Sequence, residues 1–197
     1  ICSACVFHEK KNKYNKGINW KKRKTEFNKL IEKIKNKNAP LYDVLVPVSG
    51  GKDSIYQVHM AKNIYGMNPL CITWRSLART DLGRHNLQVL RNIGVDHIDF
   101  SPNPIGINKI TKRTFFEYGD TSLVDHLAIY NVIPNLAVKL NISLIIWGEN
   151  PLMEYGGSMD DQELSKLSKQ FLKKHNILKG KSLEDWLSDE LTIDEVQ

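Results

Sequence analysis

Cysteines and long apolar runs are scarce in this sequence of 197 residues. Three cysteines are too few for a disulfide scaffold, and the start lacks the basic, apolar and small-residue regions of a signal peptide. The apolar stretches 41–48 and 142–147 are far shorter than the roughly 20 residues that a membrane-spanning helix needs. We therefore expect a chain of the reducing cytoplasm, without disulfides or membrane contact. A composition of 41% hydrophobic and 25% charged residues excludes disorder and collagen-like repeats.

Acidic residues are scarce in the first forty positions, which contain 12 Lys and Arg against 3 acids, whereas residues 41–197 contain 16 against 19. Such a basic arm indicates either a nucleic-acid partner or a solvated helix. Apolar residues recur among the lysines at helical spacing and favour the helix; they are Trp20, Phe27, Leu30, Ile31 and Ile34. We therefore predict a surface for packing and for partners, and not a nucleic-acid site.

Both ends of the sequence indicate a piece of a longer protein. The chain begins on Ile1, without a methionine, and ends on Gln197 directly after a helix-like pattern. We expect three regions: a basic arm with a cysteine pair over 1–40, an α/β domain over 41–157, and a truncated helical extension over 158–197.

From residue 41 onward, short apolar runs alternate with helical stretches, which is the pattern of a parallel sheet covered by helices. The predicted strands are 41–48, 70–74, 97–100 and 143–147. The predicted helices are 54–65, 81–93, 107–118, 123–140, 160–175 and 182–191. We therefore expect an α/β fold with four parallel strands.

A glycine-rich segment lies between the first predicted strand and the helix that follows it. Backbone N–H groups and the helix dipole favour an anion at such a place. The two glycines let the backbone approach phosphate oxygens closely, the two serines add hydroxyl donors, and the lysine adds a cation. The simpler alternative is a strand-to-helix turn in which the two glycines serve the geometry and the aspartate or the second serine caps the helix. The residues expected to bind nucleotide here are Ser49, Gly50, Gly51, Lys52, Asp53 and Ser54.

The spacing of this segment is not that of a Walker A loop, which disfavours a kinase or a GTPase. The segment resembles instead the PP-loop of the ATP pyrophosphatase superfamily. The resemblance implies a Rossmann-like domain of the adenine nucleotide alpha hydrolase type over 41–157. It also implies that the loop grips the β,γ-pyrophosphate of ATP, and that adenylation of a carbonyl-type oxygen releases pyrophosphate and later AMP.

Six segments, in order and spacing along nearly the whole chain, narrow the substrate. They are Cys2–Cys5, Ile18–Trp20, Tyr42–Ser54, Asn68–Leu70, Trp147–Asn150 and Glu154–Gly157. Together they resemble the N-acetyl sugar amidotransferases of surface-polysaccharide biosynthesis, of the lipopolysaccharide, O-antigen and pseudaminic or legionaminic type. The resemblance implies a ligase that converts the acetamido group of a nucleotide-activated sugar into an acetamidino group. It further implies that a separate glutaminase and its cyclase-like partner supply the ammonia.

The ends of the predicted strands provide further candidate residues. Mg²⁺ at phosphates takes one or two carboxylates, and Asp53 is placed to hold it beside Lys52. The adenine should lie beyond the carboxyl end of the second strand, at Thr73 and Trp74. The alternative for Trp74 is a place in the core, which is commoner for a tryptophan after an apolar strand.

A carboxylate and an amide follow Gly148 at the end of the last predicted strand, where they can contact a sugar or Mg²⁺. Three arginines after the second strand can pair with substrate phosphates or a sugar carboxylate, or lie in a solvated loop. The expected catalytic residues are Lys52, Asp53, Glu149 and Asn150, and the three arginines are Arg75, Arg79 and Arg84.

Cys2 and Cys5 have the spacing of half a zinc site, for which His8 is a third ligand by spacing. Cys71 lies in an apolar strand, where packing is commoner than metal ligation. Two Asp–His pairs have the composition of acid–base pairs, although histidines without a catalytic role are commoner; they are Asp96–His97 and Asp125–His126.

Two other functions remain open at this point. A tRNA thiolase combines a phosphate loop with cysteines and would use the basic arm, but it needs a further cysteine near the loop. A nucleotide-binding module without catalysis would retain the loop alone.

Overall fold

The computed structural model describes residues 2–35, 41–76, 78–148 and 185 of the chain. The predicted helices 160–175 and 182–191, and the candidate residues Glu149 and Asn150, lie outside the described residues, apart from Asp185. The helices are α1 Ser3–Lys16, α2 Trp20–Lys35, α3 Lys52–His59, α4 Asp81–Ile93, α5 Pro104–Tyr118 and α6 Leu123–Lys139; a π-helical segment, Met60–Ile64, extends α3. The strands are β1 Val44–Pro47, β2 Pro69–Trp74 and β3 Asp96–Phe100.

The strands form a parallel sheet in the order β1-β2-β3. Leu45 of β1 pairs with Leu70 of β2, and Leu70 in turn pairs with Asp96 of β3. Because parallel neighbours need crossover connections, α3 and α4 join the strands, as the alternating pattern predicts. The α/β class is therefore confirmed.

The prediction of four strands is wrong for the described residues, because 143–147 pairs with β1 at a single bridge between Leu45 and Ile145. Leu45 N donates to Leu144 O (2.9 Å), and Ile146 N donates to Leu45 O (3.0 Å). The next bond of a parallel ladder would need an N–H at position 47, which is proline and has none. The segment nevertheless lies beside β1, on the edge away from β2.

Both faces of β1 and β2 are covered, and alternate residues of these two strands face opposite sides. One core contains Val44, Val46, Val48 and Cys71 with residues from α2, α3 and α4; these helical residues include Ile31, Ile34, Val58, Leu87 and Leu90. The other core joins Leu45, Leu70 and Ile72 to α6 through Ile133 and Ala137. β1 and β2 are thus buried strands, whereas no residue of β3 is fully buried.

The basic arm consists of two helices, separated at Gly17–Asn19. Asn19 starts the second helix, since its Oδ1 accepts a hydrogen bond from Lys22 N (2.9 Å). Ile31 and Ile34 are buried in the first core, which confirms the predicted amphipathic packing. Trp20 and Leu30 are exposed, so the apolar face that packs is narrower than predicted.

The helix predicted over 81–93 has those bounds in the structure. Thr80 caps its start, with Oγ1 accepting from Gly83 N (3.1 Å), and Gly94 ends it in the left-handed conformation (φ 77°). Asn103 and Pro104 begin α5 three residues before the predicted start, because asparagine is a good N-cap and proline a good first helical residue. Among the described residues, no helix is both long and apolar enough to cross a membrane.

Candidate active site

The glycine-rich loop joins β1 to α3 at the carboxyl end of the sheet. β1 has β2 on one side and Leu144–Ile146 on the other. The chain therefore continues from β1 to one side of it, and a much later segment lies on the opposite side. In open α/β sheets, ligands bind at such a reversal, beyond the carboxyl ends of the strands. The topology therefore places the loop at the usual ligand site of this architecture.

Gly50 requires glycine for two reasons. Its φ is +85°, and a Cβ added there would lie 3.0 Å from the backbone oxygen of Gly83 in α4. Asn86, also in α4, donates from Nδ2 to Gly50 O (2.9 Å). The first half of α4 therefore holds the loop in place. No sequence signal identified Asn86, because its partner is 36 residues away.

The start of α3 is not capped by a side chain. The first helical bond is from Ile55 N to Gly51 O (3.3 Å), and the N–H groups of Lys52, Asp53 and Ser54 precede it. Ser54 is buried and donates its hydroxyl to Gly51 O (3.0 Å), so it does not act as a cap. The caps that the turn alternative expects at Asp53 or Ser54 are therefore absent, while its geometric role for glycine holds at Gly50. The N–H groups and dipole of this helix end are suited to an anion.

The charged residues of the loop pair with each other in an exposed position. Lys52 Nζ lies 2.8 Å from Asp53 Oδ1 and 3.0 Å from its Oδ2, and both side chains are exposed. An exposed ion pair of this kind stabilises the fold little and separates easily. The Asp53 carboxylate is therefore accessible to a cation, and its role as a Mg²⁺ ligand stays a prediction.

A cleft of about 170 Å³ lies between the loop and α6. The loop residues that line it are Ser49, Gly51, Asp53 and Ser54. The opposite wall contains aromatic and imidazole groups together with the end of the 143–147 segment; these residues are Trp74, His126, Tyr130, Trp147 and Gly148. Polar loop groups thus form one wall and flat rings the other, in a cleft whose volume is below the roughly 300–1,000 Å³ of typical ligand pockets.

Trp74 is held rigidly at this cleft. Its Nε1 donates to Asp125 Oδ1 (2.8 Å), and its ring stacks on Phe100, with 5.4 Å between the ring centroids. The predicted role of Trp74 as an adenine contact stays a prediction, but its position agrees with it. The Asp125 carboxylate is hydrogen-bonded to the indole N–H. In the predicted Asp125–His126 pair, His126 is therefore the residue that lines the cleft.

Thr73 is buried and does not line this cleft. Its hydroxyl donates to Val48 O (2.7 Å), next to the loop, and lies 2.8 Å from His97 Nε2. Because the hydroxyl proton is used on Val48, His97 Nε2 must donate to Thr73. Burial lowers the pKa of His97, which agrees with a neutral imidazole. The contact of Thr73 with nucleotide stays a prediction. In the structure, Thr73 holds the carbonyl of Val48, directly before the loop.

Gln57 of α3 was missed by sequence reasoning. Its Nε2 donates to Trp147 O (2.9 Å), which fixes the end of the 143–147 segment beside the loop helix. Its Oε1 is buried and has no hydrogen-bond partner among the described residues. The spacing of Gln57 in α3 resembles that of any helical residue, so no local signal could have found it.

The cysteines do not support zinc. Cys2 and Cys5 are exposed with their sulfurs 3.4 Å apart, but among the described residues no group of three or more Cys, His, Asp or Glu side chains is placed to hold a metal ion. His8 therefore does not complete the predicted site. Burial raises the pKa of the Cys71 thiol to about 12, which agrees with its predicted packing role.

Comparisons with known proteins add little to this geometry. No protein-family model matches the chain, and no curated protein matches it either. One solved structure similar to it is the NH3-dependent NAD synthetase from Campylobacter jejuni in complex with the nitrate ion. The two are 18% identical over 86% of this chain and 81% of that one, with a TM-score of 0.47. A likeness this distant carries no argument about the activity of this chain.

Proposed function

We propose that this chain is an ATP-dependent ligase that replaces the acetamido oxygen of a nucleotide-activated sugar with nitrogen from ammonia. AMP and pyrophosphate are the expected by-products. Nucleotide binding is supported by the start of α3, which follows Gly50 and has no side-chain cap. This helix start lies beyond β1, the strand from which the chain leaves toward one neighbour and to whose other side it later returns. The choice of sugar substrate rests on the resemblance of the sequence segments to the amidotransferase family.

In the first step, the acetamido oxygen attacks the α-phosphorus of ATP and the bond to pyrophosphate breaks. The helix N–H groups and the Ser49 hydroxyl would stabilise the charge on the leaving pyrophosphate. Asp53 would hold Mg²⁺, which neutralises phosphate charge when bound. The aromatic wall at Trp74 and Tyr130 would orient the nucleotide, so that the loop contributes mainly positioning and electrostatics.

In the second step, ammonia attacks the amide carbon, which adenylation has made electrophilic. The C–O bond then breaks, and AMP leaves with the original oxygen. His126 is an imidazole lining the cleft, and we assign it the removal of a proton from the attacking nitrogen. Glu149 and Asn150 keep their predicted catalytic roles as part of this proposal.

The loop assignment predicts how a valine at Gly51 changes ATP affinity. Gly51 has a negative φ, and a Cβ there would meet only Ser49 Oγ at 3.3 Å, so Gly51→Val should fold. The valine side chain would occupy the phosphate position, and we expect a loss of at least ~100-fold in ATP affinity, about 2.7 kcal/mol, by calorimetric titration.

Gly17→Val is the matched control, because Gly17 also has a negative φ but ends α1, far along the chain from the loop. It should leave ATP affinity unchanged. Equal ATP affinities for Gly51→Val and the unaltered protein would exclude the loop as the nucleotide site.

The nitrogen source is a second prediction, because glutamine hydrolysis needs a reactive thiolate beside a base. Among the described residues, Cys71 is buried, while Cys2 and Cys5 lie at the start of the arm. We expect product from free ammonium without a partner, and from glutamine only when a separate glutaminase is added. Mass spectrometry of an acetamido nucleotide sugar incubated with ATP and Mg²⁺ should show a loss of about one mass unit as oxygen becomes NH.

Three outcomes of this assay contradict parts of the proposal. Product from glutamine with this polypeptide alone would exclude the two-protein scheme. Release of ADP in place of AMP would exclude the adenylation step. Incorporation of sulfur would favour a thiolase, for which the described residues offer no exposed cysteine at the cleft.

A further inference from the structure

A second cleft lies on the α4 side of the sheet, away from the cleft between the loop and α6, and it runs along β3 from Val95 and Asp96 at its amino end to the residues that follow its carboxyl end. Its volume is about 710 Å³, within the range of small-molecule sites. We call it the arginine cleft. The charged and imidazole residues that line it are Arg75, Arg79, Arg84, Arg91, Asp96, His97 and Asp99.

One carboxylate organises two of these arginines. Asp99 Oδ2 lies 2.6 Å from a terminal nitrogen of Arg79 and 2.7 Å from one of Arg75, and Oδ1 accepts from both residues as well. Hydrogen bonds from Arg79, followed by those from Arg75, hold the pKa of Asp99 well below its ordinary value. The carboxylate is therefore ionised at neutral pH and fixes both guanidinium groups.

The two fixed guanidinium groups keep donors for another anion. A guanidinium group has five N–H donors, and the contacts with Asp99 use two nitrogens of each arginine. The Arg79 side chain is only 14% exposed, so its remaining donors are held in place and partly desolvated. Planar guanidinium groups in such an arrangement recognise phosphate through paired hydrogen bonds.

The arginines of the cleft outnumber the carboxylates that pair with them, so the cleft has a net positive charge. Arg84 pairs with Asp81, whose side chain is almost fully exposed, and Arg91 forms no ion pair with any described residue. The Asp96 carboxylate accepts a hydrogen bond from the Tyr42 hydroxyl (2.7 Å), so two other carboxylates, Asp81 and Asp99, balance the four guanidinium groups. An anionic ligand of charge near −2 would balance the site.

The arginine cleft adjoins the glycine-rich loop but does not include it. Leu87 lines the arginine cleft, and its Cγ would be 3.4 Å from a Cβ on Gly50. His97 also lines the cleft and bonds Thr73, which in turn bonds Val48 before the loop. The arginine cleft and the glycine-rich loop are thus neighbours, which would let a second phosphate-bearing substrate lie near ATP.

We propose that the arginine cleft binds the diphosphate of the second substrate, the nucleotide-activated sugar. This inference rests on the function proposed above for its choice of ligand. ATP phosphates bind at α3, and the sugar nucleotide is anchored by its own diphosphate on the four arginines. The acetamido end of the sugar is then free to extend toward the loop.

The test uses Arg91→Gln and Arg84→Gln, because both side chains are exposed and their loss should not disturb the core. Arg23→Gln on the exposed surface of α2 is the matched control. The probes are UDP-N-acetylglucosamine and UDP, titrated calorimetrically into protein that also carries Gly51→Val, so that the loop cannot bind their phosphates. ATP is titrated into the same arginine variants with the loop intact.

We expect the arginine variants to lower the affinity for both probes at least about tenfold each, as for the loss of a charge-assisted hydrogen bond, with ATP affinity unchanged. Arg23→Gln should change neither affinity. The inference would be overturned if neither probe bound the Gly51→Val protein with all four arginines intact. It would also be overturned if the arginine variants bound the probes as tightly as that protein does. Failure of ATP to bind the intact loop would overturn the proposed function instead, and probe binding lost only in the arginine variants would still establish the cleft.

Discussion

At the residue scale, the loop depends on contacts made by residues that carry no chemistry of their own. Asn86 holds the Gly50 carbonyl, and Thr73 holds the carbonyl of Val48 immediately before the loop. His97 supports Thr73 from the third strand, so a chain of buried hydrogen bonds links β3 to the loop. A buried polar group that loses its hydrogen-bond partner costs about 1–3 kcal/mol, so each of these bonds contributes to the free energy of unfolding.

His97 makes stability depend on pH. Burial lowers its pKa below the ordinary 6.5, with the charges of Arg79 and Arg91 acting in the same direction and Asp99 opposing them. As pH falls through 6.5, the unfolded chain binds a proton at this residue before the folded chain does. Its contribution to the free energy of unfolding is therefore present above pH 6.5 and is lost as pH decreases below it.

Urea unfolding of the protein between pH 5 and 8 measures this dependence. His97→Gln should remove that part of the slope, whereas His85→Gln, on the exposed surface of α4, should retain it. An unchanged slope in His97→Gln would show that other groups cause the loss of stability.

At the scale of elements, α2 belongs to the fold and is not a free arm. Ile31 and Ile34 are each 5% exposed in the core that contains Val44 and Val46. Phe27 adds an edge-to-face contact with Tyr65, with ring centroids 5.3 Å apart. The lysines of the helix remain on the surface, so one face of α2 packs on the core and the other carries the charge.

Ile34→Ala tests this packing. Deleting most of a buried isoleucine side chain costs about 2–5 kcal/mol, since transfer energy is lost and a cavity remains. Leu30→Ala, at 40% exposure on the same helix, should cost less than about 1 kcal/mol. Both free energies come from urea unfolding. Similar, small losses for the two variants would mean that α2 does not pack on the sheet in solution.

At the scale of the whole molecule, the positive charge is divided between the arm and the arginine cleft. The arm carries 12 basic residues against 3 acids, and the rest of the chain has a slight excess of acids. General attraction to polyanions is therefore expected from the arm, while directed binding needs the fixed geometry of the arginine cleft.

This distinction predicts weak and unspecific binding of tRNA. A filter-binding assay at two salt concentrations should give a Kd no tighter than the nonspecific range of about 10⁻⁴–10⁻⁶ M at physiological salt, with strong weakening as salt increases. Binding in the sub-micromolar range at physiological salt would favour the thiolase over the ligase.

Much of the fold could be predicted because the signals are local. The period of apolar residues, the Thr80 cap and Gly94 define α4 to the residue, and the two glycines after an apolar run identify the loop. The same holds for the buried side of α2. In these cases, neighbours within a few residues determine the backbone conformation, and a sequence read alone contains them all.

The sequence by itself determined the order of β1 to β3 with the helices between them, the glycine-rich loop after β1 and the basic arm. Only the tertiary structure decided that Pro47 limits the pairing of 143–147 to one bridge, that Asn86 holds Gly50, and that Asp99 gathers two arginines into a cleft. Each of these depends on residues about 20 to 100 positions apart. Periodicity and capping describe the chain over a few residues, whereas such contacts exist only once the sheet has brought distant strands together.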